Sequence, residues 1–262
     1  MSSTRISEQV LATERAFFDH ESSGLEDRLL TIAPDQMARY RDARPLSTNI
    51  AKDTLFARLN PLEGKRVLEY GCGTGADSCH LAYCGARVTA FDLSPVSIEK
   101  ARRRAHLLGL ADRIQFDVGR ASDLGYEPGS FDDVVGIAIL HQLHMDLESV
   151  YADVARVLKP DGAAYFIEPV ANSALFRAMR PLIPVPRYAT PDERQLTYAD
   201  FERMRAHGFR SIEYVHFHAL NRLGRILGRF GSRGLRRVDH HTQRLLPFLK
   251  PFYGIVLVVA RR

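Results

Sequence analysis

Residues 66–75 read Arg-Val-Leu-Glu-Tyr-Gly-Cys-Gly-Thr-Gly. Arg66-Val-Leu-Glu-Tyr70 has the apolar, β-favouring character of a buried strand, and the glycines after it predict a tight turn into a helix reaching about Tyr83. Glycine in such a turn lets backbone approach a ligand, and the helix N-terminus behind it attracts anionic groups. The next strand, Arg87–Asp92, ends on an acid 21 residues after Gly71. A carboxylate there is placed to accept from both hydroxyls of an adenosyl ribose.

The same rhythm continues outward. Ser94-Pro95 caps a helix that runs to about Leu108, and strands are expected over Ile114–Val118 and Asp133–Leu140. A helix over Leu147–Leu158 ends at Lys159-Pro-Asp-Gly162, and a fifth strand follows over Ala163–Ile167. Strand and helix alternating over about 100 residues argue an α/β fold with a doubly wound parallel sheet. Upstream, Ile6–Phe18 and Thr48–Leu59 space apolar residues three and four apart and predict helices. Downstream come a helix over Thr197–Ala206, a strand over Arg210–Phe217 and a terminal strand over Tyr253–Ala260. Residues 1–60 are therefore expected as a helical cap and 61–262 as the sheet domain, with 169–195 and 219–250 as lid or substrate-side insertions.

Composition narrows the classes. The chain of 262 residues is 45% hydrophobic and 26% charged, within the globular range. No apolar run approaches the length of a spanning helix, the first 21 residues lack a signal-peptide core, and Cys72, Cys79 and Cys84 are too clustered for a disulfide framework. The expected location is cytoplasmic. Net charge is +5, yet residues 201–262 hold 13 Lys and Arg against 3 Asp and Glu. That imbalance fits either a solvated Arg-rich face or weak contact of 219–250 with anionic membrane. His240-His241 lies on a basic stretch with Asp239 beside it and no Cys, and is read as surface histidine, so no metal is assigned.

Read as Gly71-x-Gly73-x-x-Ala76, the turn satisfies the loose dinucleotide fingerprint. Read as Glu69-x-Gly71-x-Gly73-x-Gly75, it resembles the first motif of class I S-adenosylmethionine-dependent methyltransferases. Asp92-Leu93-Ser94, Phe131-Asp132 through Leu140-His141, Ala155-Arg-Val-Leu-Lys-Pro-Asp-Gly162 and the late Gly208-Phe209 resemble that family's later motifs. The resemblance implies a Rossmann-like sheet of seven strands, the last antiparallel and inserted between the fifth and sixth. It implies S-adenosyl-L-methionine as cofactor, with Glu69 and Gly71 beside its methionyl part and Gly73 and Gly75 allowing close approach. By the same carry-over Asp92 holds the ribose, Leu93 covers the adenine and Ile137 lies near the sulfur. Tyr40 and Arg44 resemble residues that close over the cofactor in related enzymes. One departure stands out: Gly119-Arg120-Ala121 replaces a string that often carries an acid, and arginine cannot accept from the adenine amine. That contact falls to the Ala121 backbone or to Asp117.

In open α/β sheets the chemistry sits at the carboxyl ends of the strands, which singles out Tyr70, Ile137, His141, Gln142, His144 and Glu168. His141 is the first choice for a base or an acceptor hydrogen bond, with His144 and Glu168 beside it. Each also has a structural alternative, as a cap or a packed side chain. The expected partner is a small-molecule methyl acceptor; no nucleic-acid module or Asn-Pro-Pro-Tyr string is present, and homo-oligomerisation stays open. A nicotinamide-dependent oxidoreductase, or a basic membrane- or RNA-binding module without catalysis, are the competing readings.

Overall fold

The computed structural model describes residues 8–41, 50–121, 125–170, 194–217 and 254–262. Arg44, the bulk of the insertion expected over 169–195, and the whole of 219–250 lie outside the described residues.

Seven strands form one sheet: β1 (Arg66–Tyr70), β2 (Arg87–Asp92), β3 (Ile114–Val118), β4 (Phe131–Ile137), β5 (Leu158–Pro169), β6 (Ser211–Phe217) and β7 (Ile255–Arg261). Their order is β3-β2-β1-β4-β5-β7-β6. β1 to β5 pair in parallel, while β7 runs antiparallel to both β5 and β6. The doubly wound sheet with an antiparallel last strand between the fifth and sixth is as expected.

Successive side chains of a strand alternate between faces, so each strand feeds two cores. On one face Val67 and Leu257 pack with Leu55, Phe56, Cys79 and Ile98. Those residues come from helices α4 (Ile50–Leu59), α5 (Ala76–Tyr83) and α6 (Pro95–Leu107). On the other face Leu68, Tyr70 and Phe166 meet Tyr151, Val154 and Phe201, carried by α7 (Leu147–Val157) and α8 (Tyr198–Glu202). With both faces covered, the parallel strands read as near-continuous apolar runs. Three further helices precede these: α1 (Glu8–Ser23), α2 (Asp27–Leu30) and α3 (Pro34–Arg41).

Several boundaries moved: α1 runs to Ser23, past the expected Phe18, and β4 covers Phe131–Ile137 where Asp133–Leu140 was expected, because the backbone turns to positive φ at Ala138. β5 begins at Leu158 rather than Ala163, because Leu158 pairs with Phe131 before the register shifts to Asp133 and Ala163. The helix expected over Thr197–Ala206 is α8 followed by a 3-10 turn over Arg203–His207, closed by Gly208 in the left-handed region.

Candidate functional site

The strand order reverses between β1 and β4, and the carboxyl ends there form the crevice where ligands bind in such sheets. A cavity of about 240 Å³ lies at this point. Gly71 and Gly73 after β1, Asp92 and Leu93 after β2, Arg120 after β3 and Ile137 at the end of β4 contribute to its wall.

The loop after β1 is held by the acid after β2. Gly73 N–H donates to Asp92 Oδ2 at 2.8 Å, and Ser94 N–H donates to Oδ1 at 2.9 Å. Gly73 has φ +50°, and a Cβ added there would meet no protein atom within 4 Å. The space in front of this backbone is therefore open to a ligand. Gly75 differs: at φ +72° its Cβ would lie 2.8 Å from that of Ala101, so here glycine lets α5 start against α6. Ser94 accepts from Ser97 N–H and Pro95 opens α6, as expected. Burial raises the Asp92 pKa, and N–H donation from Ser94, Gly73 and Leu93 opposes that rise.

Glu69 is buried on β1 and accepts from the Ser78 hydroxyl; it is not among the residues lining the cavity. Burial, with Asp77 nearby, pushes its carboxyl up to about 8. The folded state thus holds a proton that the unfolded chain, with its ordinary carboxyl near 4.5, gives up. Stability tied to this proton is complete below the lower value and is lost as pH rises through the upper one, with a slope of up to about 1.4 kcal/mol per unit. Glu69→Gln is expected to flatten that decline in denaturant titrations between pH 5 and 9. Parallel curves for the two proteins would refute the assignment.

Ala138, just past β4, has φ +56°, a region costly for a residue with a Cβ. Glu168, fully buried on β5, accounts for its persistence. Its Oε1 accepts from Ile139 N–H at 2.8 Å and Leu140 N–H at 2.7 Å, and its Oε2 from His141 N–H at 3.4 Å. The three successive N–H groups form an anion-binding nest around one carboxylate. Oε2 also lies 2.7 Å from His141 Nδ1. Every neighbour of Glu168 in this set is a donor, so Nδ1 carries the imidazole proton and Nε2 is the basic nitrogen.

His141 is 7% exposed. Neither it nor Glu168 lines the cavity, although the adjacent Gln142 and Leu143 do. His144 is half-buried with Nδ1 3.1 Å from the His141 carbonyl oxygen. Ala121 lines the cavity, and its carbonyl accepts from the Tyr70 hydroxyl at 2.9 Å. Asp117 is engaged by Gln115 and by the Tyr126 hydroxyl and is not part of the lining. Tyr40 is placed elsewhere: its ring stacks on Phe56 with centroids 4.0 Å apart, in the layer built on α4. The wall closing over the cavity is instead α1, through Leu11, Glu14 and Phe18. Gln142, Leu143 and Asp146 are further lining residues that motif reading passed over or left without a role. Among the described residues no three His, Cys, Asp or Glu gather to hold a metal ion, and no helix is long and apolar enough to cross a membrane.

Residues 67–162 match a family model described as a methyltransferase domain. Methyltransferase GfsG of Streptomyces halstedii is 37% identical over 125 residues, covering 47% of this chain and 44% of the relative. Demethylmenaquinone methyltransferase of Clavibacter sepedonicus is 32% identical, covering 58% of this chain and 56% of the relative. The match thus spans about half the length of these two relatives. A geranyl diphosphate methyltransferase structure, determined with geranyl diphosphate and sinefungin, superposes with TM-score 0.64 over 97% of this chain and 99% of that one. At 16% identity that likeness is one of fold.

Proposed function

We propose that residues 67–162, which match a methyltransferase domain, form one of the class I, S-adenosylmethionine-dependent type, and that the chain transfers a methyl group to a small metabolite. The observation that carries the reading is the cavity at the sheet's switch point, with Asp92 clamped to Gly73 and Ser94 at its rim.

The residues present fit the cofactor S-adenosyl-L-methionine. Asp92 retains lone pairs beyond its backbone bonds and would hold the ribose hydroxyls. The open face of Gly73 would admit the nucleoside's backbone-hugging portion, and Gly71 and Gly75 complete that loop. Phe91, Leu93, Ala121 and Ile137 line the cavity, and Leu93 would cover the base. Glu69, on β1 and bonded to the Ser78 hydroxyl of α5, ties the strand before the loop to the helix after it and would act on the methionyl end through that scaffold. When bound, the cofactor supplies an already activated methyl group on its sulfonium.

What remains for the protein is to orient donor and acceptor in line and exclude water, which can contribute about 7–11 kcal/mol. α1 covers the cavity through Leu11 and Phe18, the direct counterpart of water exclusion. We assign to His141, held by Glu168 and next to the lining residues Gln142 and Leu143, the proton of an acceptor O–H or N–H, which its Nε2 would take as the methyl bond forms; His144 stands one turn away on the same segment. Ile139, Leu143 and Val150, apolar lining residues not used by the cofactor's contacts, support an apolar or aromatic acceptor. The relatives include a demethylmenaquinone methyltransferase and a fatty-acid O-methyltransferase, whose named substrates are of the same kind. In this reading α1 caps the cofactor side, while α4, which was expected within a cap over 1–60, packs on the sheet with α5 and α6 and belongs with the machinery of 61–262.

β7 lying antiparallel between β5 and β6 weighs against the nicotinamide reading, whose fold has no need of that strand. Thermal denaturation separates the two. S-adenosylhomocysteine at a hundredfold excess over its Kd should stabilise the chain by about 2.7 kcal/mol, raising Tm by about 5–10 °C. NADH and NADPH should leave it unchanged. A shift with a nicotinamide cofactor alone would reverse the assignment.

A further inference from the structure

The turn after β4 runs into α7, and this stretch carries more than His141. Asp146 N–H donates to the Leu143 carbonyl at 2.9 Å, and Val150 N–H donates to the Asp146 carbonyl at 3.1 Å. Leu143, Asp146 and Val150 are thus three and four residues apart along helical turns and share one side. All three line the cavity. An acid therefore stands in the middle of an apolar stripe, and it is only 7% exposed. Asp146 immediately precedes α7, a position from which aspartate ordinarily accepts from first-turn N–H groups. Its side chain makes no such bond.

The other charged groups around the cavity are engaged within the chain. Asp92 accepts from Gly73 and Ser94 N–H, Arg120 pairs with Glu8 at 3.0 Å, and Glu14 has a contact of its own. Among the described residues the Asp146 carboxylate has no hydrogen-bond or ion-pair partner. A carboxylate shielded from water is costly unless donors meet it, and only an O–H or N–H can do so. The cofactor's ribose is assigned to Asp92, after β2, whereas Asp146 belongs to the segment after β4 that begins at His141. An acceptor whose reacting O–H or N–H meets His141 would lie along this segment, its apolar body against Leu143 and Val150.

We infer that Asp146 is a specificity residue for the methyl acceptor, receiving a second O–H or N–H carried by an otherwise apolar ring compound. The inference rests on the methyltransferase reading above and narrows its acceptor class to molecules with two donors, one methylated and one retained. A compound whose second donor is missing leaves the carboxylate unmet and is disfavoured.

The test is transfer of labelled methyl from S-adenosylmethionine by the full chain to 2-naphthol, the naphthalenediols and the aminonaphthols. These probes share one apolar body and place a second hydroxyl or amine at several ring positions. The best two-donor probe should exceed 2-naphthol in kcat/KM by about 10–100-fold, the range for a hydrogen bond to a charged group. In Asp146→Leu that ratio should fall below threefold through slower reaction of the two-donor probe, while affinity for S-adenosylhomocysteine changes less than threefold. Both rates are read on the same folded fraction, so lost stability does not alter their ratio. Asp146→Asn keeps the shape and should leave the Tm of the unliganded chain within about 3 °C, since the carboxylate caps nothing there. A larger fall would make Asp146 a structural cap and overturn the inference. An unchanged ratio in Asp146→Leu overturns it too. So does the absence of any two-donor preference in an unaltered chain that binds S-adenosylhomocysteine, inactivity on every probe included. Failure to bind S-adenosylhomocysteine removes the cofactor reading, and this inference with it.

Discussion

His141→Ala is expected to lower turnover at saturating substrates about 10²–10⁴-fold, the usual contribution of a positioned base, while affinity for S-adenosylhomocysteine changes less than threefold. The expectation follows from the 2.7 Å contact between His141 Nδ1 and Glu168 Oε2, which assigns the basic lone pair to Nε2. Glu168 is a positioning residue, reaching the chemistry only through His141 and through the turn that it holds. Glu168→Ala would strand three buried N–H groups, at about 1–3 kcal/mol each, and would confound activity with folding. Glu168→Gln keeps the volume and one acceptor oxygen and is the better probe. It should reproduce most of the loss and shift the acidic limb of the kcat/KM profile, since an amide does not stabilise an imidazolium as a carboxylate does. A loss below threefold in His141→Ala would leave the histidine as scaffold for the turn after β4.

The parts of this site that were legible in the sequence are those where backbone chemistry dictates residue type. A turn that must use positive φ at Gly73 and bring α5 within contact of Ala101 at Gly75 announces itself as glycine. Asp92 is legible because it closes an apolar strand at a fixed distance from that turn. The turn after β4 carries no such mark. Ala138 adopts its positive φ under compulsion from Glu168, 30 residues on, and that meeting depends on the β4–β5 register that sets Ile137 opposite Ile167. A sequence could place Glu168 at a strand end; it could not show that three N–H groups converge on it. The α1 stripe was half legible. Its three-and-four spacing predicts one buried face, but the same spacing suits a helix packed on protein and one packed on a ligand. Tyr40 shows the converse, for an aromatic in a cap segment is as readily drawn into the layer against Phe56 as over a cofactor. α2 and α3 escaped because four residues carry no period and Pro34–Arg41 is mostly polar.

Asp92→Ala should weaken S-adenosylhomocysteine binding about 10²-fold. One source is direct: two ribose hydroxyls lose a charged acceptor, and hydrogen bonds to charged groups contribute about 1.5–3 kcal/mol each. The other source is the loop, because the same carboxylate accepts from Gly73 and Ser94 N–H and so sets the backbone on which the cofactor would rest. The two can be separated. Asp92→Asn keeps the shape and one acceptor oxygen, but turns an NH2 group toward one of the two N–H donors, so it should lose affinity while retaining most of the Tm. An S-adenosylhomocysteine analogue lacking both ribose hydroxyls supplies the second arm: it should bind the unaltered chain poorly and lose little more in Asp92→Ala. If the analogue loses as much as the parent compound on going to Asp92→Ala, the carboxylate acts through the loop alone. If neither compound loses affinity in a folded Asp92→Ala protein, the acid after β2 does not meet a ribose, and the cavity at the switch point is not built for this cofactor.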